Sequence, residues 1–251
     1  MEEELLQEYR NFLKDRVRRD VDFSQTDQSR GVPPPPVEKP FPPDAKRVDL
    51  PGKGQWPTIG KVDITQAIAN RQSRRKFRNA PLSLEEVSFL LWATQGIRKM
   101  ERPGVALRTV PSAGARHAFE TYLLALNVEG LEPAIYRYLP VEHQLLFERS
   151  DEHLAEKIAP ATLGQRFIAA APVTFVWTAI PYRMEWRYSI AAHKVIAIDV
   201  GHVCQNLYLA VEAIGAGTCG IAAYHQELMD ELVGVDGENE FTIYLAPVGK
   251  V

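Results

Sequence analysis

The 251 residues include 45% hydrophobic and 24% charged side chains, enough to bury one large core or two small ones, which excludes collagen-like, disordered and disulfide-scaffold chains. Lys and Arg number 29 against 32 Asp and Glu, a formal net charge of -3, so no field of one sign draws the chain to nucleic acid or an anionic membrane and any anion site must be local. Cys204 and Cys219 sit in apolar stretches, the N-terminus lacks a signal pattern, and no window reaches the ~18 apolar residues of a membrane span, so a cytoplasmic protein without nucleic-acid or membrane partners is expected.

In chain order, Leu5, Tyr9, Phe12, Leu13 and Val17 recur at helical spacing and predict a short helix. Residues 31–51 are rich in proline, with Pro33 to Pro36 consecutive, so the segment lacks donors for a sheet. It reads as an extended arm lying across its own domain or a partner subunit, and a ligand for a proline-binding module is the other reading. Residues 1–60 are therefore taken as helix and arm, and 61–251 as the main domain. Asp63 caps a helix over 64–70, and Ser83 with Glu86 forms the capping box of a helix ending at Gly96. Residues 121–128, 134–139, 144–148 and 173–179 read as strands. Ile196, Val200, Val203, Leu207, Ala210, Val211 and Ile214 form one wide stripe, predicting a long, largely buried central helix over 191–214. A strand over 218–222, a helix over 226–233 and a strand over 241–248 complete the chain. The absence of strict strand-helix alternation makes the fold class α+β.

The densest cation cluster is 71–77, where Arg71, Ser73 and Arg75 point the same way in an extended segment. Two guanidinium forks and a hydroxyl suit a phosphate; a solvated basic surface is the other reading. Gly215, Gly217 and Gly220 have the spacing of a dinucleotide fingerprint, but they close a helix and open a strand, the reverse of the Rossmann order, so that reading is rejected. The glycines instead permit a tight helix exit and close approach of a flat ligand to 220–223, a use that fits a flavin. His193 and His202, nine apart, and His202 and Cys204, two apart, share no helical face, so no metal is expected. His202 is read as a hydrogen-bonded core histidine. No Gly-x-Ser-x-Gly elbow is present and Cys219 has no neighbouring base, which leaves nucleophilic hydrolysis unsupported.

Four strings in order, Arg71-x-Ser73-x-Arg75-x-Phe77, Leu82-Ser83-x-Glu85-Glu86, Pro111-Ser112-Ala113-Gly114-Ala115-Arg116 and Gly215-x-Gly217-Thr218-Cys219, resemble the FMN-dependent nitroreductase superfamily. The arm ending in Leu50-Pro51, the string Asp199-x-Gly201-His202-x-x-Gln205-Asn206-Leu207-Tyr208 and the terminal Tyr244-x-x-Pro247-Val248-Gly249-Lys250 resemble its SagB-type dehydrogenase branch, whose members oxidise azolines to azoles in peptide natural products. The resemblance covers about 33–251. It implies the nitroreductase fold, a mixed, largely antiparallel sheet flanked by helices with a long central helix, in an entwined homodimer with FMN at the interface. It also implies NADH or NADPH as electron donor and a small-molecule substrate.

By position, the resemblance places Arg71, Ser73 and Arg75 on the FMN phosphate and ribityl chain, Gln72 on the ring and Lys250 as a second phosphate cation. Ser112, Ala113 and Gly114 match a loop that reaches the flavin of the partner subunit, with His117 beside it. Gly220, Ala222 and Ala223 match a strand end whose backbone N–H points at flavin N5, and Gln165 approaches the pyrimidine edge. Arg187 and Tyr188 align with a Lys-Tyr pair that azoline oxidases use for proton removal. Arginine, with a reference pKa of about 12.5 or above, cannot act as a base, which leaves Tyr188 to transfer the proton if a cation such as Arg187 stabilises its phenolate. Packing at a subunit boundary is the other reading of Trp186 and Tyr188. A reading of another class is a non-catalytic FMN-binding or regulatory protein in which Arg187 and Tyr188 close the substrate gap.

Overall fold

The computed structural model describes residues 2–251. The chain opens with α1 (Glu2–Phe12), whose acidic first turn and Arg10 in the last turn complement the helix dipole, and none of whose residues is buried. Two 3-10 helices, Asp15–Asp20 and Phe23–Gln25, come next, and the proline segment then runs without helix or strand as far as residue 46. Its prolines withhold N–H groups, but the segment keeps its carbonyls, and buried donors from the main domain use them. Arg108 donates to Val37 O at 2.6 Å, Arg137 to Lys39 O at 2.8 Å, and Trp186 Nε1 to Val32 O at 2.9 Å. Lys39, which still has an N–H, donates it to Glu120 at 2.7 Å. The arm therefore lies across its own chain. Beyond Pro43 the N–H groups return, and β1 (Arg47–Asp49) pairs with a sheet edge, a strand the composition of the segment had concealed.

Next come α2 (Ile64–Asn70) with Asp63 as N-cap, and α3 (Leu84–Gln95) with the Ser83–Glu86 capping box and Gly96 as C-cap, all as expected. A hairpin of β2 (Ile97–Arg102) and β3 (Val105–Arg108) follows; β2 is almost wholly exposed, so it carries no apolar pattern to read. The rest of the chain gives β4 (Phe119–Ala125), β5 (Ala134–Leu139), β6 (Gln144–Arg149), α4 (Leu154–Ala161), α5 (Arg166–Ala169), β7 (Val173–Ala179), α6 (Tyr182–Tyr188), α7 (Ala192–Ala210), β8 (Ala216–Thr218), α8 (Gln226–Val233) and β9 (Phe241–Lys250). The helices α4 to α6 were not expected: α4 contains Pro160, α5 is one turn, and α6 buries Arg183 among its polar residues. The strand expected over 218–222 is shorter and earlier, followed by a single bridge from Ile221 to Leu245.

Seven strands form one sheet in the order β1-β6-β5-β4-β7-β9-β8, with every adjacent pair antiparallel. Alternate residues of its centre serve opposite faces. Phe119, Leu123, Phe175 and Trp177 pack in one core with Val87, Leu90 and Leu91 of α3 and Ile196, Val200, Val203 and Leu207 of α7. Tyr122, Leu124 and Val176 pack in the other with Ile158 of α4 and Met229 and Val233 of α8. The long central helix is thus α7, extended by a 3-10 turn over Val211–Ile214 and ended by left-handed Gly215. At the sheet centre, Glu120 pairs with both Arg183 and Arg137, all three 2% exposed.

Candidate active site

After α2 the backbone extends and runs beside β8: Ser73 bridges Thr218 in parallel, and Arg74 N donates to Thr218 O at 2.8 Å. Extension sorts the side chains by alternation. Arg74 turns onto the sheet, where a Cβ at Gly217 would stand 2.4 Å from Arg74 Cγ, while Gln72, Ser73 and Arg75 are exposed. The Arg71 guanidinium lies 5.3 Å from the centroid of the Tyr208 ring. The Tyr208 hydroxyl shares a hydrogen bond with Ser73 Oγ at 2.9 Å and accepts from Gly220 N–H at 2.8 Å. One side chain of α7 thereby ties the cation segment to the strand end. Nothing in the apolar pattern marked Tyr208 for this; the signal was a hydroxyl beside the apolar stripe.

Ala222 and Ala223 are exposed, and Gln165 donates to Ala223 O at 2.9 Å, so the residues expected at the ring's edge come together. On its other side Gly220 is closed: a Cβ there would lie 2.2 Å from Tyr244 Oη and 3.1 Å from Cys204 Sγ. Burial pushes the Cys204 thiol up to about 12, which keeps it neutral. Lys250 is engaged elsewhere, ion-paired with Glu86 and donating to Ile214 O at 2.7 Å.

A second group stands on another part of the molecule. Asp199 of α7 accepts from Ala113 N–H at 3.2 Å and from the Ser112 hydroxyl, and burial raises its carboxyl above the ordinary value. Ser112 Oγ also accepts from His117 N–H at 3.0 Å. Burial, followed by repulsion from Arg108, takes His117 down to about 2, leaving a neutral ring. Gly114, at φ 60°, lies directly against the end of α6: a Cβ there would be 2.6 Å from Tyr188 Oη and 3.0 Å from Arg187 Cδ. The Arg187 guanidinium carbon is 5.4 Å from the centroid of the Tyr188 ring. His202, expected in the core, is instead half exposed and 3.9 Å from Asp199, outside the stripe that packs on the sheet.

The two groups hang on the same helix but not on the same side. Asp199 and Tyr208 are nine residues apart, two and a half turns or about 13 Å along the axis, so they project in opposite directions.

The first group fits FMN by the chemistry of its donors. Arg71 and Arg75 with the Ser73 hydroxyl supply charge-assisted bonds of the kind a phosphate takes, and 220–223 carry no polar side chain to obstruct a flat ring lying on the main chain. Among the described residues no cluster of His, Cys, Asp and Glu could hold a metal ion, and no helix is long and apolar enough to cross a membrane.

Residues 68–250 match the nitroreductase family model. A nitroreductase-assigned protein of Methanocaldococcus jannaschii is 33% identical over 196 residues, 78% of this chain and 95% of that protein. The trifolitoxin-processing protein of Rhizobium leguminosarum bv. trifolii is 27% identical over 62% of this chain and 44% of its own length. Among solved structures, a nitroreductase-assigned protein of Ralstonia eutropha superposes with a TM-score of 0.67 at 26% identity, covering 87% of this chain and 98% of that one. The match over most of the main domain, together with the sheet order and the long central helix, places this chain in the nitroreductase family of oxidoreductases.

Proposed function

We propose that the protein is an FMN-dependent oxidoreductase that moves hydride between NADH or NADPH and a small acceptor such as a nitroarene or quinone, and that it acts as a homodimer. The observation that carries this reading is the Tyr208 hydroxyl, bonded at once to Ser73 and Gly220, because it sets a phosphate-type donor group beside an open strand end. Bound FMN supplies the two-electron chemistry through its N5 position. The chain supplies binding and proton handling. Arg71, Arg75 and Ser73 hold the phosphate and ribityl end, Gln72 and Gln165 meet the polar edges of the ring, and Gly220, Ala222 and Ala223 offer it main chain. Lys250 joins the phosphate site only if its pair with Glu86 opens.

Ser112, Ala113, Gly114, Arg187 and Tyr188 face away from that group and complete the site of the partner subunit; their position on the opposite side of α7 supports the dimer. Arg187 stacks on Tyr188, whose Oη gives or takes a proton at the substrate. The test is stopped-flow absorbance of gel-filtered, FMN-reconstituted protein. NADH or NADPH should bleach the flavin, and a nitroarene or quinone should restore it. A flavin that neither donor bleaches, or neither acceptor restores, would leave the non-catalytic binding protein as the better reading.

The relation to the trifolitoxin-processing protein favours a second reading, a SagB-type dehydrogenase that oxidises peptide azolines. Arg187 in place of the lysine base weighs against it. If that pair decides substrate choice, Arg187→Lys gains azoline oxidation that the parent lacks.

A further inference from the structure

Behind the Gly114 wall lies a cavity of about 280 Å³, lined among others by Gln28, Pro34, Arg102, Arg116, Trp186 and Arg187. Three of its side chains are guanidinium groups and none of its lining residues is acidic. At the sheet centre the fold neutralises two buried arginines: Arg137 and Arg183 share Glu120. Here it does not. Among the described residues, Arg102, Arg116 and Arg187 form no ion pair, although Arg116 is only 4% exposed. Arg116 spends Nε on Arg183 O at 3.0 Å and Nη1 on Gly104 O at 2.8 Å, which leaves Nη2 without a partner. Its ring-side face is covered by Trp186 at 4.7 Å, and that indole is fixed in turn by its bond to Val32 O of the arm. Burial, then repulsion from Arg187, Arg183 and Arg102, weakens the hold of Arg116 on its proton. Concentrating positive charge without a counter-ion is costly unless an anion completes the site. The space is near the lower end of ligand-pocket volumes and suits a ring-sized molecule.

We propose that this cavity, between the proline arm, the β2–β3 hairpin and the end of α6, recognises the carboxylate or phosphate group of a small aromatic substrate, given the oxidoreductase reading above. The planar forks of Arg102, Arg116 and Arg187 bind the anionic group, and Trp186 offers an apolar wall to the ring beside it. Arg187 also touches Gly114, across which Tyr188 Oη lies, so a molecule anchored here reaches toward the proton-transfer group.

Isothermal titration of FMN-saturated protein tests the site without turnover, using benzoate, phenyl phosphate and the neutral isostere benzamide. Benzoate or phenyl phosphate should bind and benzamide should not, and the tighter of the two anions identifies carboxylate or phosphate as the preferred group. Arg102 is exposed, so Arg102→Gln leaves the fold intact and should weaken the anion by about tenfold, with Arg102→Glu abolishing binding. Arg10→Gln, the same loss of charge on exposed α1, should change nothing. No anion binding, equal binding of benzamide, or binding unaffected by both Arg102 variants would overturn the proposal. Arg102-dependent binding in a protein that reduces no acceptor would instead count against the oxidoreductase reading and leave the anion site standing.

Discussion

Gly114 offers the most direct test of the Tyr188 arrangement, because the chain contains its own control. Gly114 has φ 60° and Gly130 has φ 83°, so alanine is strained at both, by roughly 1–2 kcal/mol in the left-handed region. At Gly130 the new methyl meets nothing within 4 Å. At Gly114 it would stand 2.6 Å from Tyr188 Oη and 3.0 Å from Arg187 Cδ and Nε, closer than carbon and oxygen pack. Overpacking of this kind costs about 1–3 kcal/mol, so Gly114→Ala should lose that much more stability than Gly130→Ala. For a chain of this size each kcal/mol moves Tm by about 2–4 °C, giving an excess drop of about 2–12 °C by calorimetry. The displaced Tyr188 should also slow flavin reoxidation by substrate. Equal Tm losses in the two variants would refute the placement of Tyr188 against this loop.

Arg71→Ala or Arg75→Ala should lower FMN occupancy after gel filtration through loss of a phosphate contact worth roughly 1.5–3 kcal/mol; full retention in both variants would make the segment a mere surface. Tyr188→Phe should slow the substrate half-reaction by roughly 10² to 10⁴ and leave reduction by nicotinamide nearly unchanged; equal slowing of both in stopped flow would mean that the ring only shapes the site. Glu120→Gln leaves two buried guanidinium groups short of charge and should cost about 3–5 kcal/mol in urea unfolding; a loss under 1 kcal/mol, the ordinary value of an exposed pair, would contradict it. Burial raises Glu38 from 4.5 to about 7, so the folded state binds its proton more tightly than the unfolded chain does. Its stabilising contribution is therefore complete below about pH 4.5 and is lost as pH rises through 7. Glu38→Gln should flatten the fall in stability between pH 5 and pH 8; an unchanged slope would place the titrating group elsewhere.

Elements were legible wherever the local signal and the tertiary demand coincide. The caps at Asp63 and Ser83, the stripe on α7 and the buried runs of β5 and β7 each state their structure within a few residues. The hairpin β2–β3 and the helices α4 to α6 were not legible, because exposure removes the apolar period from β2 and buried ion pairs put arginine where a pattern reader expects surface. His202 failed in the opposite sense: its place in an apolar helix suggested the core, yet its position on the turn sets it at the surface.

For the site, the residue types were written in the chain: paired guanidinium groups with a hydroxyl at alternate positions, and small residues after a helix exit, specify phosphate-type and flat-ring chemistry wherever they fold. What brought 71–75 to 220–223 was a long-range event, the parallel bridge of Ser73 with Thr218 and the Tyr208 hydroxyl between them. The same holds for Arg102, Arg116 and Arg187, which the sequence scatters over eighty-odd positions and which only the packing of arm, hairpin and helix gathers around one cavity. Local chemistry is set by side-chain type and spacing, whereas convergence depends on which distant surfaces bury each other, and periodicity carries no record of that.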